Sequence, residues 1–197
     1  MGFFKAPLQT VEAHLSDWLK EIKGPRGISI RTRPVSGHLE DALRSLLPST
    51  LPDIERYLLI PTGGPWTAYL DNLHGGTDPS AVAYLSTRMR CTGVYCVARP
   101  AHALVLSLYG PGASPEQGNT LRDIRLFRDV DGWVFRQSGQ PLAFENTDAY
   151  RADSVEARFT VEMLERYLRE LGIRAFEEGF YLPCAASEAR LIELVRP

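Results

Sequence analysis

The sequence predicts an α+β fold: a mostly antiparallel sheet with flanking helices, in a single domain spanning residues 1–197. Three observations lead there. Apolar residues recur at helical spacing in well-separated stretches, beginning with Leu8, Val11, Leu15, Trp18, Leu19 and Ile22. Several strand-like runs follow one another with only tight turns between them, which joins them antiparallel. At 197 residues, 44% hydrophobic and 23% charged, the chain has the size and composition of one ordinary globular domain.

The first helix is expected over residues 7–23. Pro7 suits its opening turn, Lys20 and Lys23 suit its closing turn, and Gly24-Pro25 stops it. Residues 28–33 alternate apolar and polar and read as a strand that Pro34 ends. Leu39, Leu43, Leu46 and Leu47 make a short second helix, closed by Pro48. Residues 56–60 form a continuous apolar run, as in a strand buried on both faces. A Pro-Thr-Gly-Gly-Pro turn leads to a second strand over 66–70. Asp78-Pro79 starts the next helix, with Ala81, Val82, Leu85 and Met89 inward and Gly93 past its end.

Residues 94–98 and 103–109 read as a hairpin. Residues 110–119, dense in Gly and Pro and without an apolar anchor, read as a mobile surface loop. Asp131-Gly132 is a type I′ turn signal between strands at 121–130 and 133–137. A long helix is expected from a Ser154 cap to Leu171, carrying the ion pairs Glu162–Arg166 and Glu165–Arg169. Residues 176–182 read as a strand or extended arm. Periodicity leaves 187–195 open between helix and strand.

The net charge of −2 argues against a nucleic-acid partner, which needs a basic face to displace phosphate counterions. The three cysteines, Cys91, Cys96 and Cys184, cannot all pair and show no Cys-x-x-Cys spacing, which fits a reducing compartment. Cys184, after Pro183, is the one expected to be partly exposed. No apolar run approaches a membrane span, and the N-terminal residues lack the core of a signal peptide. A cytoplasmic location is therefore expected, with no membrane partner. Arginine outnumbers lysine 19 to 3, a bias associated with GC-rich bacterial genomes.

No P-loop, dinucleotide fingerprint, complete nucleophile elbow or His-Glu-x-x-His motif occurs. The densest polar stretch is Asp71, Asn72, His74, Gly75, Gly76, Thr77 and Asp78. Asp71 and His74 could act as an acid–base or ligand pair, with Asp78 as a third group. The plainer account makes Asp78 a helix cap, Asp71-Asn72 a turn and Gly75-Gly76 a site of positive φ. Gly75 and Gly76 also lead into a helix N-terminus, a setting that attracts anions, although the Asp78 carboxylate fills it. Trp66 and Tyr69 could stack a base or sugar, but alternation puts them on opposite strand faces. Between residues 145 and 178, nine Asp and Glu stand against five Arg. Such a face could steer a basic partner.

The run Trp66-Thr67-Ala68-Tyr69-Leu70-Asp71-Asn72 with Gly76-Thr77-Asp78, together with Leu168-Arg169-Glu170-Leu171-Gly172-Ile173 and Phe180-Tyr181-Leu182, resembles a family of small bacterial cytosolic proteins. That family has no established activity, so the resemblance carries over no functional residue. In general character the chain is also similar to the immunity proteins of bacterial toxin systems. The expectation is therefore a non-enzymatic bacterial binding protein, of the kind that masks a toxin, working without a cofactor or metal. Its binding residues are expected among Trp66, Tyr69, Asp71, Asn72, His74, Gly75, Gly76 and Asp78. One alternative is a small hydrolase or transferase with its site at Asp71, His74 and Asp78. Another is a small-molecule or nucleotide sensor built on Trp66 or Tyr69.

Overall fold

A computed structural model describes residues 1–47, 54–73, 77–113, 119–182 and 189–195. Its frame is one nine-stranded sheet in the order β2-β9-β3-β4-β1-β5-β6-β7-β8. Every neighbouring pair is antiparallel. The strands are β1 Gly2–Phe4, β2 Ser29–Val35, β3 Arg56–Pro61, β4 Thr67–Asp71, β5 Gly93–Arg99, β6 Ala103–Tyr109, β7 Thr120–Asp129, β8 Gly132–Gly139 and β9 Ala189–Val195. The helices are α1 Leu8–Lys23, α2 Leu39–Arg44, α3 Pro79–Met89 and α4 Val161–Glu170. The α+β fold class stands.

Side-chain alternation along the strands feeds two cores, one on each face of the sheet. On one face α1 and α3 bring Val11, Leu15, Leu19, Val82 and Leu85 onto Phe4, Leu59, Tyr69 and Ile192. On the other, α2, α4 and the irregular chain around them cover Phe3, Ile60, Val94, Leu106 and Ile124 with Phe159, Leu164, Tyr167 and Phe180. No helix among the described residues is long and apolar enough to cross a membrane.

The shortest strand sits at the centre. β1 pairs with β4 through Gly2↔Tyr69 and with β5 through Gly2↔Tyr95. Its three residues are too few to show an alternation pattern, so the sequence gives no sign of a strand there. Close packing under α3 demands small residues. A Cβ on Gly2 would lie 2.6 Å from Val82 Cγ2, and one on Gly93 would lie 1.8 Å from Ser86 Oγ.

Other departures have equally local causes. β2 runs through Pro34 to Val35, which an edge strand tolerates because it has a free side for the missing N–H. Residues 189–195 are strand, because they fill the space between β2 and β3 and bury side chains on both faces. In the β7–β8 hairpin Val130 and Asp131 form the loop, and positive φ falls on Gly132 (+121°). The turn is therefore not type I′, which needs positive φ at both central residues.

The long helix expected from Ser154 is broken. Short 3₁₀ turns occupy Ala149–Arg151 and Glu156–Arg158, and Phe159 is extended (φ −149°, ψ 111°) as it enters the core. Helix α4 then restarts with Thr160 as cap, its hydroxyl accepting from Met163 N at 3.3 Å. Glu165–Arg169 forms at 2.9 Å, whereas Arg166 lies over the Tyr167 ring. Residues 178–180 form a 3₁₀ turn, and Tyr181 makes only a single bridge to Thr62. The centre of the Gly/Pro-rich stretch, 114–118, lies outside the described residues.

Arg122 and Glu145 form a fully buried ion pair, with Arg122 Nη2 and Nε donating at 2.6 and 2.9 Å. The remaining polar atoms are satisfied. Arg122 Nη1 donates to the carbonyls of Ser138 and Gly139, while Glu145 also accepts from Leu142 N and the Tyr150 hydroxyl. Burial pushes the Glu145 carboxyl upward, but these bonds outweigh it and hold the group below its ordinary value of 4.5.

A depressed carboxyl contributes stability that is complete above the unfolded value and lost as pH falls through the folded one. Urea titrations should therefore show wild-type stability declining below about pH 4.5, with a shallower decline in Glu145→Gln. At neutral pH the same variant should lose about 3–5 kcal/mol, because it strands the Arg122 charge. Gly2→Ala should lose about 1–3 kcal/mol in the same measurement by overpacking the contact with Val82.

Candidate functional site

Asp71 ends β4 and faces the α1–α3 core. Its side chain is buried, and three donors converge on its two oxygens: Leu73 N at 3.1 Å on Oδ1, and Asp78 N at 2.9 Å and the Tyr69 hydroxyl at 3.1 Å on Oδ2. Burial raises its carboxyl above the ordinary value, and the two backbone N–H groups oppose that rise. The carboxylate thus ties the end of β4 to Leu73 and to the start of α3.

Asn72 is also buried. Its Oδ1 accepts from Arg56 N at 2.7 Å and its Nδ2 donates to Ile54 O at 3.0 Å, pinning the entry to β3. The Asp78 carboxylate turns the other way and caps α3 through Ser80 N at 2.8 Å and the Ser80 hydroxyl. The two carboxylates Asp71 and Asp78 therefore serve separate local tasks. His74, Gly75 and Gly76 lie outside the described residues. Among the described residues no group of three His, Cys, Asp or Glu side chains is placed to hold a metal ion.

Trp66 and Tyr69 point into opposite cores, as alternation requires. Trp66 Nε1 donates to Leu171 O at 3.2 Å, and the Tyr69 ring packs against Tyr57 and Phe4. Neither ring is offered to a ligand at the surface. Cys96 is buried and Cys91 half-buried, and burial pushes both thiols up, away from the reactive thiolate. Cys184 lies outside the described residues. The acidic stretch 145–178 does not form one charged face: Glu145 is in the core, and Glu165 and Glu177 pair with Arg169 and Arg174.

The surface that the fold leaves open lies elsewhere. On the face carrying α1 and α3, α3 packs chiefly on β1, β5 and β6. The outer part of that face, over β7 and β8, has no helix packed on it among the described residues. Strand register sets its side chains in rows. Val97, Val105, Arg125 and Arg136 form one row; Arg99, Ala103, Phe127 and Val134 form the next. A shallow depression of about 420 Å³ is lined by Val105, Asp123, Arg125, Phe127 and Arg136.

Arg125 and Arg136 stand directly opposite each other on adjacent strands. Asp123 answers Arg125 at 2.7 Å, and its other oxygen accepts from the buried Ser107 hydroxyl at 2.5 Å. The Arg136 guanidinium lies 5.5 Å from the centre of the Phe127 ring and has no hydrogen-bond acceptor among the described residues. The arrangement offers an apolar floor with uncompensated positive charge above it. None of these residues stands out in the sequence. The signal present was the alternation Asp123, Arg125, Phe127 ahead of the hairpin turn, which puts all three on one face.

A second cavity, of about 320 Å³, opens where β1 stops short between β4 and β5, with Leu70, Thr77, Cys96, Ala98, Arg99 and Phe176 in its wall.

Asp71→Asn should destabilise the fold by about 1–3 kcal/mol in urea unfolding, since an amide group would then face a backbone donor. No protein-family model, curated protein or solved structure matches this chain.

Proposed function

We propose that the protein works by binding another protein, without catalysing a reaction, and that it docks an acidic stretch of that partner on the helix-free sheet face at Arg125, Phe127 and Arg136. Masking a toxin, the role of the immunity proteins this chain is similar to in type, is one form of such binding, and a cytoplasmic setting agrees with the unpaired Cys91 and Cys96. The observation that carries the proposal is the cross-strand pair Arg125↔Arg136. Like charges directly opposite on a sheet are unfavourable, and Asp123, already engaged by Ser107, offsets only one of them. A carboxylate from outside would sit between the two guanidiniums over the Phe127 ring.

The binding reading is also supported by Asp71, Asn72 and Asp78, whose polar atoms are spent on the chain's own turns.

Fluorescence anisotropy with a labelled oligoglutamate peptide at low ionic strength tests this. Wild type should bind, and added salt should weaken binding. Arg125→Glu combined with Arg136→Glu should reduce affinity by about tenfold or more while the protein stays folded by circular dichroism. Absence of wild-type binding, or equal binding by the double variant, would sink the proposal.

A further inference from the structure

Taking the acidic partner of the preceding proposal as given, we infer that its segment binds as a tenth strand, paired to the free edge of β8. The sheet has two edges, and they are not alike. β2 carries Pro34, which removes a backbone donor, and its neighbours Arg31 and Arg33 are exposed. Proline and charge are the usual means of blunting an edge. β8 closes the other end of the sheet, pairs only with β7 among the described residues, runs for eight residues and contains no proline. Its one charged side chain is Arg136, the residue that lacks an acceptor.

The register determines which backbone groups are available. Asp129 and Gly132 flank the two-residue turn and form its hydrogen-bonded pair. Alternation then directs the N–H and C=O groups of Val134, Arg136 and Ser138 to β7. Those of Trp133, Phe135 and Gln137 point outward. A segment of about five residues could take up these outward groups.

An added strand would have side chains on both faces. On one face they would meet Arg136, with Arg125 behind it. On the other they would lie beside Trp133 and Phe135, which pack on the core. The partner segment should therefore alternate acidic and apolar residues. A second copy of this chain fits less well: β8 against β8 in a twofold arrangement would bring both arginine rows to the same face, with like charges adjacent.

The test uses a labelled seven-residue peptide alternating glutamate and valine, and two forms of it N-methylated on one or the other alternate set of amides. In a strand added to an edge, only one set of amides bonds to the protein. One methylated form should lose at least tenfold in affinity, and the other should stay within about twofold of the parent. Gln137→Pro, which removes an outward N–H and leaves the β7 ladder intact, should lower parent affinity by a similar factor with unchanged Tm. Equal binding of both methylated forms, with the Arg125→Glu/Arg136→Glu variant still defective, would overturn strand addition and leave acidic docking standing. Failure of the parent peptide itself would remove the underlying proposal. A concentration-dependent dimer abolished by Gln137→Pro, without peptide binding, would assign the edge to a second copy and overturn the inference.

Discussion

The insertion of three residues between β4 and β5 holds this molecule in one piece. On either side of Gly2–Phe4 lie four strands, β2-β9-β3-β4 and β5-β6-β7-β8. Without β1 they would share no ladder. Phe3 and Phe4 are both fully buried and point to opposite faces, so the same short strand supplies a central side chain to each core. The close approach of α3 over Gly2 and Gly93 follows from this, because a helix spanning the junction must sit low to cover both halves. That position also limits how far α3 extends outward. It covers the junction and leaves β7 and β8 bare, and the open arginine face follows from it.

The far half is anchored by a different kind of interaction. Arg122 and Glu145 cross-link β7 to the chain that follows β8, inside a setting of Tyr150 and Tyr167. A buried ion pair is a weak source of net stability, and its value lies in what it forbids. An unpaired partner in the core is so unfavourable that the segment after Gly139 has one acceptable position. That position covers one face of the β7–β8 hairpin and leaves the other uncovered.

Much of this was legible in the residues and some of it could not be. Helices α1 and α3 announce themselves by long apolar stripes and by Pro and Asp at their starts, and the β5–β6 hairpin by its alternation. β1 was invisible because three residues carry no period. The break before α4 was hidden because Val155 and Phe159 keep helical spacing while Phe159 itself is extended and Thr160 takes the cap. Residues 189–195 were ambiguous locally and became a strand only because β2 and β3 leave a gap between them. The polar stretch at the end of β4 has a related explanation. Polar residues beside glycines suggest reactivity, yet Asp71 and Asn72 are polar because turns between buried strands must satisfy their own backbone. Arg125 and Arg136 are each ordinary alone, and their opposition exists only once the register is known.

The place of β9 also constrains how the chain reaches this state. β3 lies between β4, its near neighbour in sequence, and β9, whose Glu193 meets Arg56 from 137 residues away. During synthesis the hairpin of β3 and β4 can form early, yet one side of β3 stays uncovered until the chain from Ala189 onward emerges. Pairing across such separations is slow because loop closure precedes any gain from contact. The apolar run Tyr57 to Ile60 thus keeps one open edge in the nascent chain until β9 arrives, a setting in which a chaperone can help.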